Sequence, residues 1–417
     1  MQQLPRQCDL LRSNAWPLDC PVWLDLDLDD DKKSNKLTSL LEALVQNESA
    51  RVLNVKNIHR LTTNTNSNAT GEAFKRMLLE RKQTFSSIAF LANSSRASVA
   101  FPMDLLTETT TAYLKELTIE KYKLNENCCR SLGTLLQKST SLQTLRLSNV
   151  TLQGDLSELG ASIRGPSLVH LELSDVRLSE ESLIFILDAV IESQTLLSLT
   201  LENMGLGDKQ MPAIAKLVER NTCLQSLNLN ENNFAENSIK VLAERLIHNT
   251  NLRELSLALN PVGNNGALYL SQALQENATL QECDLEHAEI WSEGCLALAK
   301  GLSRMSGLKR LLLEGNEMEL CGRELLESVK QNMVLTYLSG SAALSVSYDD
   351  YDAESAQLWK EVEYWLKLNR GNRRILTTPN ALPLWPVVLG TNKDPDVLYY
   401  ILRHAPHVLA RQKTFIR

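Results

Sequence analysis

The sequence predicts an α/β solenoid: a right-handed horseshoe of strand–turn–helix units, with a parallel concave sheet, convex helices and a helical cap at the C-terminal end. Two observations carry this expectation. The apolar pattern LxxLxL recurs as Leu142-Leu145-Leu147, Leu168-Leu171-Leu173, Leu196-Leu199-Leu201, Leu224-Leu227-Leu229, Leu252-Leu255-Leu257, Leu280-Cys283-Leu285 and Leu308-Leu311-Leu313, and from Leu196 onward the copies start 28 residues apart. Within each period the apolar spacing then turns helical, as in Leu183-Ile186-Leu187-Val190 and Ile239-Leu242-Ala243-Leu246. A strand, a crossover helix and another strand of the same sense make a parallel sheet with right-handed connections.

Taken in order, residues 1–21 form an N-terminal flank and residues 22–345 the solenoid. The early copies are looser: Trp23-Leu26-Leu28, Ala50-Leu53-Val55, Phe85-Ile88-Phe90 and Leu114-Leu117-Ile119. The polar run 62–68 reads as a loop insertion, and Leu335-Leu338 continues the series, for about twelve strands. Residues 346–417 break the period. There the acidic run around Asp349 to Glu354 precedes a helix to about Asn369, which a left-handed Gly371 would stop. Pro383-Leu384-Trp385-Pro386 precedes a second helix around Val397 to His404. A solenoid must cover its last core layer, so this module is expected to be a cap, with Trp359, Trp365 and Trp385 as covering side chains. Its cluster of Lys and Arg from Lys367 onward leaves a docking role open.

Composition narrows the function. The net charge is −7, which argues against bulk attraction to nucleic acid, and no stretch approaches a membrane span. Without an apolar secretory segment at the N-terminus, a cytoplasmic protein is expected. Eight cysteines lack any CxxC or zinc-ligand spacing, so reduced thiols and no metal are expected. No glycine-rich phosphate loop is present, so no cofactor is expected. His170 and His287 should face the concave side several strands apart, and His287 beside Glu286 has no nucleophile, so no catalytic residues are assigned and the chain is read as a non-enzyme.

The segments NLNENNF (228–234), SLALNPVGNNGALYLSQAL (256–274) and LLLEGNEM (311–318) resemble leucine-rich repeats of the ribonuclease-inhibitor type. The resemblance implies a protein-binding scaffold and an Asn at position nine, counting the first Leu as one. Asn232, Asn260 and Asn316 stand there, but Tyr122, Val150, Val176, Met204 and Ala288 replace it elsewhere. The runs LNRGNRRIL, LPLWPVVL and DPDVLYYILRHAP are similar to the C-terminal ends of uncharacterised leucine-rich-repeat proteins of diatoms and related algae.

Residues at positions three, five, seven and eight should face out of the sheet. Carboxylates dominate them, including Asp25, Asp27, Asp29, Asp30, Glu202, Glu231, Glu254, Glu282, Asp284, Glu286 and Glu314, against Lys56, Lys121, Arg146 and Arg310. A basic protein partner is therefore expected, with Glu254, Glu282, Asp284, Glu286 and Glu314 as the densest spot and Leu91, Ala258, Leu259 and Leu312 as apolar anchors. Charge reversal at Asp284 and Glu286 is expected to weaken binding without unfolding the chain. Two further readings stay open: a regulator that activates GTPases from loops carrying Asn149, Arg177, Asn203 and Asn232, and a structural subunit of a cytoskeletal or axonemal assembly. Oligomeric state is not encoded in these patterns, and a monomer is the simplest expectation.

Overall fold

A computed structural model describes residues 3–18, 20–26, 31–60, 68–80, 85–93, 99–103, 106, 113–154, 156–318, 320–340, 353–377 and 385–405. Twelve short parallel strands follow one another in chain order: β1 (Val22–Asp25), β2 (Val52–Lys56), β3 (Ser87–Leu91), β4 (Glu116–Glu120), β5 (Thr144–Ser148), β6 (His170–Ser174), β7 (Ser198–Glu202), β8 (Ser226–Asn228), β9 (Glu254–Ser256), β10 (Glu282–Asp284), β11 (Arg310–Leu312) and β12 (Tyr337–Leu338). The expected α/β repeat architecture is thus present. The chain divides into two compact units, residues 1–205 with 220–224, and residues 206–219 with 225–417.

In the first unit β1 to β7 alternate with α1 (Gln3–Arg12), α2 (Asp31–Gln46), α3 (Asn68–Glu80), α4 (Glu126–Lys138), α5 (Ser157–Ser162) and α6 (Glu180–Glu192). Leucines at positions four and six of each repeat point into the core, so β2, β3 and β4 alternate between buried and half-exposed residues. The first strand departs from the expected register. Val22 pairs with Leu53 and Leu24 with Val55, so Val22, Leu24 and Leu26 are the inward set. Trp23 faces out, with the Lys56 ammonium 5.2 Å from its ring centroid. An indole on the outer face is stable there because a cation covers it, which Trp-as-leucine pattern matching does not anticipate. Asp27, Asp29, Asp30, Leu28 and most of the run 62–68 lie outside the described residues; Asn68 opens α3.

Where position nine lacks asparagine, other side chains take over. The fully buried Tyr122 accepts a hydrogen bond from the Ile58 N–H at 3.1 Å and donates to the Leu91 carbonyl at 3.2 Å. Burial pushes its phenol well above the ordinary tyrosine range.

In the second unit β8 to β12 alternate with α7 (Met211–Arg220, whose last residue lies in the first unit), α8 (Glu236–Leu246), α9 (Gly263–Glu276), α10 (Ser292–Leu302) and α11 (Gly322–Gln331). Two sets of buried asparagines join its repeats. At position nine, Asn260 donates to the carbonyls of Leu229, Leu257 and Ala258 and accepts from the Phe234 N–H; Asn316 does the equivalent for Leu285, Leu313, Ala288 and Ile290. The second set was not read from the sequence. Three residues before the first leucine, Asn249, Asn277 and Asn332 each accept from two backbone N–H groups of the helix-to-strand turn, and each donates back to carbonyls of the preceding repeat. Asn221, in the first unit, does the same toward Val190, while the hydroxyls of Ser139 and Ser193 accept from the turn N–H groups at the equivalent position.

The C-terminal module extends this second set. It comprises α12 (Ala353–Arg370), a 3₁₀ turn (Arg373–Thr377), α13 (Trp385–Thr391) and α14 (Pro395–His404), around a small core of Leu368, Ile375, Val388, Val397 and Ile401. Asn369 donates to the Asn332 and Leu335 carbonyls. Arg373, buried to 1% exposure, donates to the carbonyls of Val329, Lys330 and Asn332 and lies 4.6 Å from the Trp365 ring centroid. Those carbonyls are the free acceptors at the end of α11, where a helix favours positive charge. Arg373, rather than three tryptophans, is the main covering group; Trp359 and Trp365 are half-buried, and the Trp385 side chain lies outside the described residues. The helix stop also differs from expectation: Asn372 takes the left-handed conformation (φ 63°), and Gly371 is needed for space, because a Cβ there would lie 2.1 Å from Val397 Cγ1. Two of the module's cations pair within it, Lys367 with Asp394 and Asp396, and Arg370 with Glu363.

Replacing Asn277 by Ala strands two N–H groups and two carbonyls. It should lower stability by roughly 2–4 kcal/mol in urea unfolding, against less than about 0.5 kcal/mol for exposed Asn237→Ala. Arg373→Met should reduce hydrogen-exchange protection in α11 and β12 while leaving β2 to β5 unchanged, because stability in stacked repeats is largely nearest-neighbour.

Candidate functional site

The outward residues of the second unit form a grid fixed by strand pairing. Glu254, Glu282 and Arg310 are direct neighbours in one row, and Ser256, Asp284 and Leu312 in the next. Two residues further along each strand stand Ala258, Glu286 and Glu314. The following position is left-handed in repeat after repeat: Lys121, Asn149, Asp175 and Asn203 in the first unit, and Glu231, Leu259, His287 and Gly315 in the second, with φ between 49° and 76°. Lys121, Asn149, Asp175, Glu231, Leu259 and His287 each point the N–H at the next strand, as Leu259 does to the Glu286 carbonyl at 2.9 Å and His287 to the Glu314 carbonyl at 2.7 Å. Glycine accepts this conformation freely and leucine does not.

The grid brings the expected carboxylates together but divides their work. Glu282 is held by Arg310, whose Nε lies 2.8 Å away and whose guanidinium stacks 4.4 Å from the Tyr337 ring centroid. Asp284 accepts from the Ser256 hydroxyl at 2.8 Å and from the Glu286 N–H at 3.0 Å. Glu286 accepts from the Ser339 hydroxyl at 3.2 Å. These three are built into the sheet. Glu231, Glu254 and Glu314 are exposed, and their carboxylates have no hydrogen-bond or ion-pair partner among the described residues. Leu259, 49% exposed, sits in the left-handed row, Leu312 is half-buried, and Ala258 is buried and so offers no anchor.

In the first unit the face is locally neutralised. Arg146 lies 3.1 Å from Glu172 and 3.8 Å from Glu116, and Lys121 lies 2.9 Å from Glu120. Glu202 is half-buried at the end of β7, and Leu91 is half-buried and outward. Among the described outward positions of the second unit, Glu231, Glu254, Glu282, Asp284, Glu286 and Glu314 stand against one cation, Arg310, which is already engaged.

Groups suited to catalysis are poorly placed. Burial pushes the Cys129 thiol up to about 11 and the Cys283 thiol further, the reverse of what a thiolate nucleophile needs. No group of three or more His, Cys, Asp or Glu suited to a metal occurs among the described residues. Of the loop residues proposed for GTPase work, Asn232 is buried with its amide bonded to the Leu229 and Asn230 carbonyls, and Arg177 donates to the Met204 carbonyl.

A family model described as Leucine Rich repeat matches residues 220–243 and 248–271. The two matched segments are leucine-rich repeats, and the other repeats share their strand-and-helix architecture in the same parallel sheet. No curated protein matches the chain. Among solved structures, the tropomodulin C-terminal domain of Caenorhabditis elegans is similar at 12% identity with a TM-score of 0.32, covering 40% of this chain and 98% of that one. Leiomodin-1 actin-binding site 2 is similar at 15% identity with a TM-score of 0.31, covering 48% of this chain and 95% of that one. No helix among the described residues is long and apolar enough to cross a membrane.

Asp284→Lys should destabilise the fold by roughly 1–2 kcal/mol, because two donors lose their acceptor, whereas Glu254→Lys and Glu314→Lys should stay within about 0.5 kcal/mol in thermal or urea unfolding.

Proposed function

We propose that this chain is a non-enzymatic interaction scaffold that binds a basic protein through the outward face of β8 to β11. The observation that carries the reading is the charge imbalance of that face: its one cation is spent on Glu282, while Glu231, Glu254 and Glu314 remain open to solvent. Carboxylates spaced at the strand repeat of about 4.8 Å reinforce one another's potential over the groove. Leu259 and Leu312 supply the apolar contact that gives a complex its lifetime, and the open carboxylates supply steering and selection. A left-handed, half-exposed leucine costs about 1–2 kcal/mol relative to glycine, which suits an anchor better than a packing residue.

The test compares wild type with Glu231→Lys/Glu254→Lys/Glu314→Lys and with a charge-matched control, Glu42→Lys/Glu244→Lys/Glu276→Lys, at exposed helix positions. Proteins captured from cell extract by wild type and control, lost with the triple variant and basic in sequence, are the expected result. Association of a purified captured protein should also slow at low salt by tenfold or more in the triple variant alone. Identical captured sets for all three chains, or an unchanged association rate, would remove the acidic face from the binding site.

A further inference from the structure

Beside this face, the loop from β10 into α10 holds a cavity of about 250 Å³ lined by His287, Glu289, Trp291, Gly315 and Glu317. Trp291 is the anomaly. Counting the first leucine as one, it occupies position twelve, the N-cap of its own repeat's helix; Asn125, Ser179 and Ala235 are the N-caps at that position in sister repeats, and Gly207 and Gly263 stand there in two others. Asn125 and Ser179 cap their helices with side-chain oxygens; Trp291 makes no side-chain cap and leaves 58% of its surface in water. Such a residue forgoes about 1 kcal/mol of capping and exposes the largest apolar side chain available. Packing does not explain it.

The surroundings do. Glu289, held at φ 53° where the repeat starting at Leu196 uses Gly205, has no partner among the described residues, and Glu317 takes only the Ser292 hydroxyl, at 2.7 Å. The His287 ring closes one wall against the backbone of Gly315, where a Cβ would lie 2.2 Å from its Nδ1. An open indole with two carboxylates around it is the chemistry that binds an organic cation: the ring face attracts positive charge and the carboxylates accept its N–H groups. The volume falls below the range of about 300–1,000 Å³ usual for small-molecule sites, and suits one side chain. A planar guanidinium can lie flat on the ring and present a fork of N–H groups to the carboxylates, a geometry that a compact ammonium does not offer.

We propose that this cavity is a specificity pocket for an arginine side chain of the protein partner. The inference rests on the reading above that the partner is basic, and adds which residue it presents and where. The probe is acetyl-Gly-Arg-Gly-amide, titrated into the ¹⁵N-labelled full chain while the indole N–H signals of its six tryptophans are followed. Trp291→Phe assigns the relevant signal. The expected result is a saturable shift of that signal at millimolar peptide, at least fivefold smaller with the neutral citrulline analogue and in Glu289→Gln/Glu317→Gln, whose other five indole signals should stay in place. No movement of the Trp291 signal, or equal movement with arginine and citrulline, overturns the proposal. Because the probe needs no partner, failure here leaves the capture experiment able to succeed, and failure of capture leaves this pocket testable.

Discussion

The amide side chain that closes a helix-to-strand turn, at Asn221, Asn249, Asn277 and Asn332, is the interaction on which much of this structure depends. A strand of three to five residues cannot bury itself without also burying the backbone leading into it, and buried N–H and C=O groups must find partners. Asn249, Asn277 and Asn332 solve this locally by accepting from two N–H groups, and non-locally by donating to the previous repeat. One residue thus fixes both the shape of a turn and the distance to its neighbour. Where Ser139 and Ser193 stand at this position, their hydroxyls accept from the same turn N–H groups. The terminal module obeys the same rule, since Asn369 serves the last turn and Arg373 the last helix end.

A rigid period has an electrostatic consequence. Strands in register place side chains of successive repeats side by side, so a charge at one repeat position becomes a row. In the first unit Arg146 and Lys121 interrupt the rows and neutralise them. In the second unit only Arg310 does so. The left-handed residue after each strand adds a further row along the face, where Glu231, Leu259 and His287 stand in a conformation that turns them toward solvent while their N–H groups bond the neighbouring strand. Acidic face and aromatic cavity are adjacent products of one repeat, the strand giving Glu282, Asp284 and Glu286, and the following loop giving Glu289 and Trp291.

By itself the sequence determined the repeat, the count of twelve strands, the inward leucines and the outward carboxylates, because burial at period two and period 3.6 writes itself directly into residue order. The position-nine asparagines were legible for the same reason, and those before the first leucine could have been, since N-x-x-L recurs at 221, 249, 277 and 332. Tertiary structure alone decided the rest. Whether a carboxylate is open or spent depends on neighbours far away in sequence, 28 residues for Glu282 and Arg310 and 53 for Glu286 and Ser339. That Trp23 lies outward under a lysine, and that a buried arginine closes the final helix, follow from contacts across strands and between helices. Pattern records which way a side chain points; only packing in three dimensions records what already occupies the space in front of it.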